Sequence, residues 1–188
     1  MSTMNSIINH ILISMPHMQD PFFGNSVVLM CEHDSKGAMG LIVNKPFREH
    51  NLSATFDELF DSSKKIFQSV SQVYLGGPVL IERGILLHSN LFNSEDSIKI
   101  SDDFSISSHV KTLDKLKSQD DEKFSRLLLG HASWAKGQLE QEIENGDWLV
   151  QETSPDFIFK IPAEQMWDIA IQSFGIDLES FSAISGKA

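Results

Sequence analysis

Short apolar runs, punctuated by glycine and proline, alternate along this chain with segments whose apolar residues fall at helical spacing. HILISM (10–15) is short, apolar and stopped by Pro16, which predicts a strand. The following segment, 15–24, holds two prolines and a glycine and predicts a loop. SVVLMCE (26–32) is β-branched and almost continuously apolar, as expected of a strand covered on both faces. GLIVN (40–44) has the same character and is expected to lie beside it, in a hairpin or as a near neighbour. VYL (73–75), GILLH (84–88) and RLLLG (126–130) predict further strands, the first two separated by the Gly76-Gly77-Pro78 corner. Trp148–Val150 and Phe157–Ile161 read as the last strands.

Helical signals fall between these runs. Thr55-Phe56-Asp57-Glu58 has the capping-box pattern, in which hydroxyl and carboxylate satisfy the first free amides of a helix. Ser107 or Ser108 can cap a helix carrying Val110, Leu113 and Leu116. After the link HASWAKG, a helix is expected through Gln138, Leu139, Glu140, Ile143 and Glu144, ended by Asn145-Gly146. Pro162 suits the first position of a last helix bearing Met166, Trp167, Ala170, Ile171 and Phe174, closed by Gly175. Without repeats, linkers or low-complexity tracts, this order predicts one α/β domain over residues 1–188. It has three or four helices on a mixed sheet, with 1–6 and 182–188 loose.

Composition narrows the function classes. At 188 residues and 41% hydrophobic, the chain can build a core without disulfides or metals. Its 26 acidic and 15 basic residues give a net charge of −11, which repels phosphate backbones, and no basic helix is present, so direct nucleic-acid binding is not expected. One cysteine, Cys31, forms no internal disulfide and suits a reducing compartment. No run approaches the length of a membrane span, and no Lys or Arg precedes Lys36 to mark a secretory leader. A cytoplasmic location without membrane contact is expected.

Six phrases occur in order: ILISMPHMQDPFF, SVVLMCEHDSKGAMGLIVNKP, VYLGGPV, RGILLH, GHASWAKGQLEQEIENGDWL and EQMWDIAIQSFGID. Together they resemble the YqgE/AlgH family of small bacterial proteins over nearly the whole chain. The resemblance implies a compact α/β fold on a bent sheet that curls toward a barrel, with helices outside. It implies no defined activity, since the family is largely uncharacterised and its regulator label comes from a genetic phenotype. The chain departs from the family at Asn25, where arginine is usual, and at Gly130-His131-Ala132-Ser133-Trp134, where GYAGW is usual. No role passes to a guanidinium or a tyrosine there.

Candidate chemistry is sparse. Cys31-Glu32-His33 is the most suggestive triple, because an imidazole can activate a thiol. On a straight strand Cys31 and His33 share a face at a long reach, so a small core residue is the favoured reading of Cys31. Gly76, Gly77 and Pro78 offer backbone amides to an anion but lack the spacing and lysine of a P-loop, and a tight turn is the stronger reading. Glu140 and Glu144 stand at i,i+4, which is usual on solvated helices, although Trp134, Gly137 and Gln138 beside them give a surface typical of binding sites. The histidines, His10, His17, His33, His88 and His131 among them, show no zinc spacing, and no GxSxG elbow occurs. No catalytic set, metal set or cofactor motif is read.

The leading expectation is a non-catalytic module binding a small molecule or a protein. The binding surface would combine Cys31, His33, Gly76, Gly77, Pro78, Trp134, Gly137, Gln138 and Glu140. The alternatives are a regulator acting through a partner and an enzyme dependent on Cys31 or a carboxylate.

Overall fold

The computed structural model describes residues 6–47, 72–90, 96–107 and 124–176. Among these, nine strands and three helices form a mixed α/β domain on a curled, half-barrel sheet. β1 (His10–Ser14) lies between β2 (Val27–Asp34) and β9 (Trp148–Glu152), with Ile13 opposite both Val27 and Leu149. β2 and β3 (Gly37–Ile42) form a hairpin whose turn is held by Asp34 Oδ1 accepting from Lys36 N at 2.7 Å. β4 (Val73–Leu75), β5 (Val79–Ser89), β6 (Ile98–Lys99) and β7 (Phe104–Ser107) make up the other half. β8 (Ser125–Ala135) joins the halves, pairing antiparallel with β5 and β3 and parallel with β4. The path runs β6-β7-β5-β8-β3-β2-β1-β9, with β4 off it.

Eleven residues are long for one strand, and β8 changes partners midway. The change falls at Gly130, whose φ of 68° is open to glycine and costly for other residues.

Both faces of the central strands are buried. Ile11, Ile13, Val27, Leu29 and Leu41 face one core, together with Ile158, Met166, Ala170 and Ile171. Leu12, Val28, Met30 and Ile42 face the other, with Leu139, Trp134 and Trp148. The period-2 alternation on β1 and β2 therefore sends every apolar side chain inward, each fully buried one contributing about 1.5–3 kcal/mol. Helix α1 (Gln138–Glu144) covers the second face; α2 (Pro155–Lys160) and α3 (Ala163–Ser173) cover the first. Trp167 ties α3 to the sheet by donating from Nε1 to Ser14 O at 2.8 Å.

Three expectations change. Residues 157–161, expected as a strand, lie mostly in α2, because Ser154 caps its start by accepting from Phe157 N at 3.3 Å and Pro155 fits the first turn. The link HASWAKG is mostly strand, since β8 continues to Ala135. Ser107 closes β7. The expected capping box at Thr55–Glu58 and the helix through Val110, Leu113 and Leu116 lie outside the described residues.

Candidate functional site

The expectation of a shared face for Cys31 and His33 is corrected by a bulge. Met30 pairs with Gly40 and Glu32 with Met39, which leaves Cys31 as the extra residue in the ladder. Cys31 points into the first core; His33, paired with Ala38 of the second core, stands on the opposite face. Burial, and secondarily Glu32, push the thiol far above its usual pKa, and it makes only a long donation of 3.6 Å to Leu29 O. A buried, protonated thiol is neither a nucleophile nor a metal ligand.

His33 is part of a clasp. Its Nδ1 accepts from Ile7 N at 3.3 Å, which in the neutral ring leaves the hydrogen on Nε2, 2.9 Å from Glu140 Oε1. The His33 side chain is 5% exposed and that of Glu140 35%. The hydrogen bond from His33, backed by a backbone amide, holds the Glu140 carboxyl below its usual range.

Beside it, Glu142 gathers three donors. Trp134 Nε1 and Trp148 Nε1 reach its Oε2 at 2.8 and 2.9 Å, and Gln138 Nε2 reaches its Oε1 at 2.9 Å. Gln138 Oε1 also accepts from Ala135 N at 3.0 Å. Phe23 packs on both indoles, with ring centroids 6.2 and 5.7 Å away. Gly137 precedes α1 at φ 76°, a conformation that suits glycine. The structure thus brings His33, Trp134, Gly137, Gln138 and Glu140 together around the start of α1, as an internally bonded clasp. Glu142, its centre, escaped the sequence reading, which paired Glu140 with Glu144; the only signal for it was the i,i+4 relation to Gln138.

Gly76 and Gly77 lie elsewhere, against the backbone of β8. A Cβ on Gly76 would stand 2.3 Å from Gly130 O, and one on Gly77 2.2 Å from His131 C. Gly76 N donates to Leu129 O at 2.7 Å and Gly76 O accepts from Ile42 N at 2.8 Å, so this corner joins β3, β4 and β8. It is packed backbone to backbone, with no cradle for an anion at Gly76. Pro78 is exposed beside it, followed by Val79 and Leu80, 37% and 42% exposed, with Leu80 at φ 50°.

Two further buried polar side chains, Arg126 and His88, bridge separate elements. Arg126 donates to Val43 O, to Ile161 O at 3.1 Å and toward Met166 Sδ at 3.3 Å, and stacks 4.8 Å from the Tyr74 ring centre. Burial lowers its pKa, partly offset by Tyr74 and Glu164. His88 lies within 3.1 Å of both Ser97 Oγ and Ser107 Oγ, and burial lowers its pKa. Both groups tie strands or helices together.

A concave region occurs on the first face, at the end of β9. This groove, of about 380 Å³, is floored by Ile11 and Ala170 and walled by Phe157 and Ile169. Gln151, Glu152, Thr153, Ser154 and Ser173 supply its polar lining. Among the described residues, Thr153 Oγ1 is buried without a hydrogen-bond partner, a condition that costs about 1–3 kcal/mol. Among the described residues, no group of three or more His, Cys, Asp or Glu is placed to hold a metal ion, and no helix is long and apolar enough to cross a membrane.

The sequence profile of the AlgH-like family matches residues 11–179. A UPF0301 protein of Shewanella frigidimarina is 40% identical over 187 residues, covering 98% of this chain and all of that one. A UPF0301 protein of Proteus mirabilis is 38% identical over 97% of this chain and all of its own length. The solution structure of the AlgH protein from Pseudomonas aeruginosa superposes with a TM-score of 0.71 at 30% identity, covering 97% and 96% of the two chains. A crystal structure of a Corynebacterium diphtheriae protein shares the fold, with a TM-score of 0.67 at 21% identity over 92% of this chain and 90% of that one. The chain belongs to the AlgH-like family, also known as UPF0301.

Proposed function

We propose that the protein is a cytoplasmic binding module, without thiol chemistry, whose ligand sits in the groove between β9, α2 and α3. The observation that carries this reading is the contrast between two places. Around α1, the imidazole of His33 is bonded to Glu140, and the two indoles and Gln138 are bonded to Glu142. In the groove, an apolar floor lies beside the Thr153 hydroxyl, buried with no partner among the described residues. A concave, mainly apolar site with a few converging polar groups is the usual form of a small-molecule site. The α1 clasp then serves as the scaffold that holds β8, β9 and the N-terminal segment in place, and direct contact with nucleic acid or membrane plays no part.

A thermal-shift screen of metabolites, nucleotides and divalent metals tests this. A ligand at about 100 times its Kd adds about 2.7 kcal/mol to native-state stability. The expected hit raises Tm in the wild type and not in Ser173→Phe, whose ring fills the groove.

A protein partner, through which the chain would act as a regulator, is the second reading. It is favoured by the exposed Val79 and Leu80 on a backbone held out by the glycine corner. Silence across the panel, with a protein retained from lysate by the wild type and lost in Val79→Glu, favours it.

A further inference from the structure

We infer that Asn145 and Gly146, which cap the C-terminal end of α1, form a self-modifying site. The Asn145 side chain closes onto the Gly146 backbone nitrogen and becomes aspartate or isoaspartate, at a rate set by opening of the helix end. The site is independent of the groove and acts on the clasp that α1 carries.

This is the single Asn-Gly step in the chain, and both residues are exposed. Glycine leaves the peptide nitrogen open to the preceding side chain, because it has no Cβ to stand in the way. In the folded chain, hydrogen bonds hold the reacting groups apart. Gly146 N donates to Ile143 O at 3.0 Å and Asp147 N to Glu142 O at 3.0 Å. Gln141 Nε2 donates to Asn145 Oδ1 at 3.2 Å. Asn145 has a ψ of −12°, which turns the Gly146 nitrogen toward Asn145's own nitrogen and away from its Cβ. Ring closure therefore waits for the last turn to fray, as exposed helix ends do.

The chemistry needs only water and a base from solvent. The Gly146 nitrogen gives its hydrogen to the base and bonds to Asn145 Cγ; the Cγ–Nδ2 bond breaks, and the side-chain nitrogen takes up a proton and leaves as ammonia. Water then opens the cyclic imide. Opening at the side-chain carbonyl gives aspartate, and opening at the main-chain carbonyl gives isoaspartate, which lengthens the backbone by a methylene. Either product puts a new negative charge at a helix C-terminus, where the dipole favours cations. The last turn of α1 has no basic residue, and Glu144 and Asp147 flank the cap. The longer backbone also upsets the bonds to Ile143 O and Glu142 O. Glu142 holds both indoles from this last turn, so the change loosens the clasp.

The test is incubation of the native protein at mildly alkaline pH, followed by peptide mass spectrometry that separates aspartate from isoaspartate. The proposal expects Asn145 to convert before any other asparagine, with both products present and tryptophan emission changing in step. In urea-unfolded protein the conversion is at least about tenfold faster, because the opening step is removed. Glu142→Ala speeds it in native protein by about fivefold or more, the effect of one lost hydrogen bond on a local opening. Glu142→Gln, the milder change, acts in the same direction. If Asn145 stays intact over weeks, or another asparagine converts first, the site is overturned. If Asn145 converts as fast in the folded chain as in the unfolded one, or neither Glu142 variant changes its rate, control by the helix end is overturned.

Discussion

His33 Nε2 meets Glu140 Oε1 at 2.9 Å, joining the end of β2 to the first turn of α1 across 107 residues of sequence. The pair sets a pH dependence with a defined sign. Glu140 is held below its usual range when folded, so the unfolded chain takes up its proton first as the pH falls. The stabilisation is complete above the unfolded value of about 4.3 and is lost as pH falls through the folded value. Because Glu140 is partly solvated, the contribution is about 0.5 kcal/mol. Urea unfolding of Glu140→Gln from pH 3 to pH 7 shows a loss of this size at neutral pH and a smaller one at pH 3.

Glu142 holds two indoles through one oxygen, and its loss leaves both N–H groups without their acceptor. Glu142→Ala lowers stability by about 2–3 kcal/mol, whereas Glu142→Gln, which keeps a carbonyl oxygen, loses about half as much. Denaturant unfolding gives the energies, and tryptophan emission reports the change around Trp134 and Trp148.

Cys31 is buried on the face away from His33, so its alkylation follows unfolding. In native protein, iodoacetamide modifies it far more slowly than a free thiol, and added urea accelerates the reaction in step with the unfolded fraction. Cys31→Ala costs about 1 kcal/mol, the mean for a mild core truncation.

The glycine corner tolerates no side chain. Gly76→Ala places a methyl group 2.3 Å from Gly130 O, a clash with backbone rather than with a movable side chain. A loss of about 3 kcal/mol or more in urea unfolding is expected, at the top of the range for overpacking. Gly137→Ala meets open space and costs only its φ of 76°, about 1 kcal/mol.

Much of the sheet was legible in the sequence. Continuous apolarity at 27–31 implied a strand covered on both sides, and Val27, Leu29 and Cys31 do face one core while Val28 and Met30 face the other. Phe157–Ile161 offered similar apolarity in a segment too short to show its period; the Ser154-Pro155-Asp156 start signal decided for a helix. β6 and β7 went unread because Ile98-Lys99 and Phe104–Ser107 are too short and polar to stand out.

The site was less legible, for geometric reasons. A single extra residue at Cys31 reversed the face of His33, and no local composition announces a bulge. The groove draws Ile11, Phe157 and Ala170 from three separate segments, and only the fold brings them together.

Crystals soaked with a fragment mixture of amines, alcohols and acids test the central claim most directly, since they show where this surface accepts a ligand. The expected result is density over Ile11 and Ala170, with a polar group beside Thr153. Fragments bound at the Trp134–Glu140 clasp or at the glycine corner, with the groove empty, would contradict it.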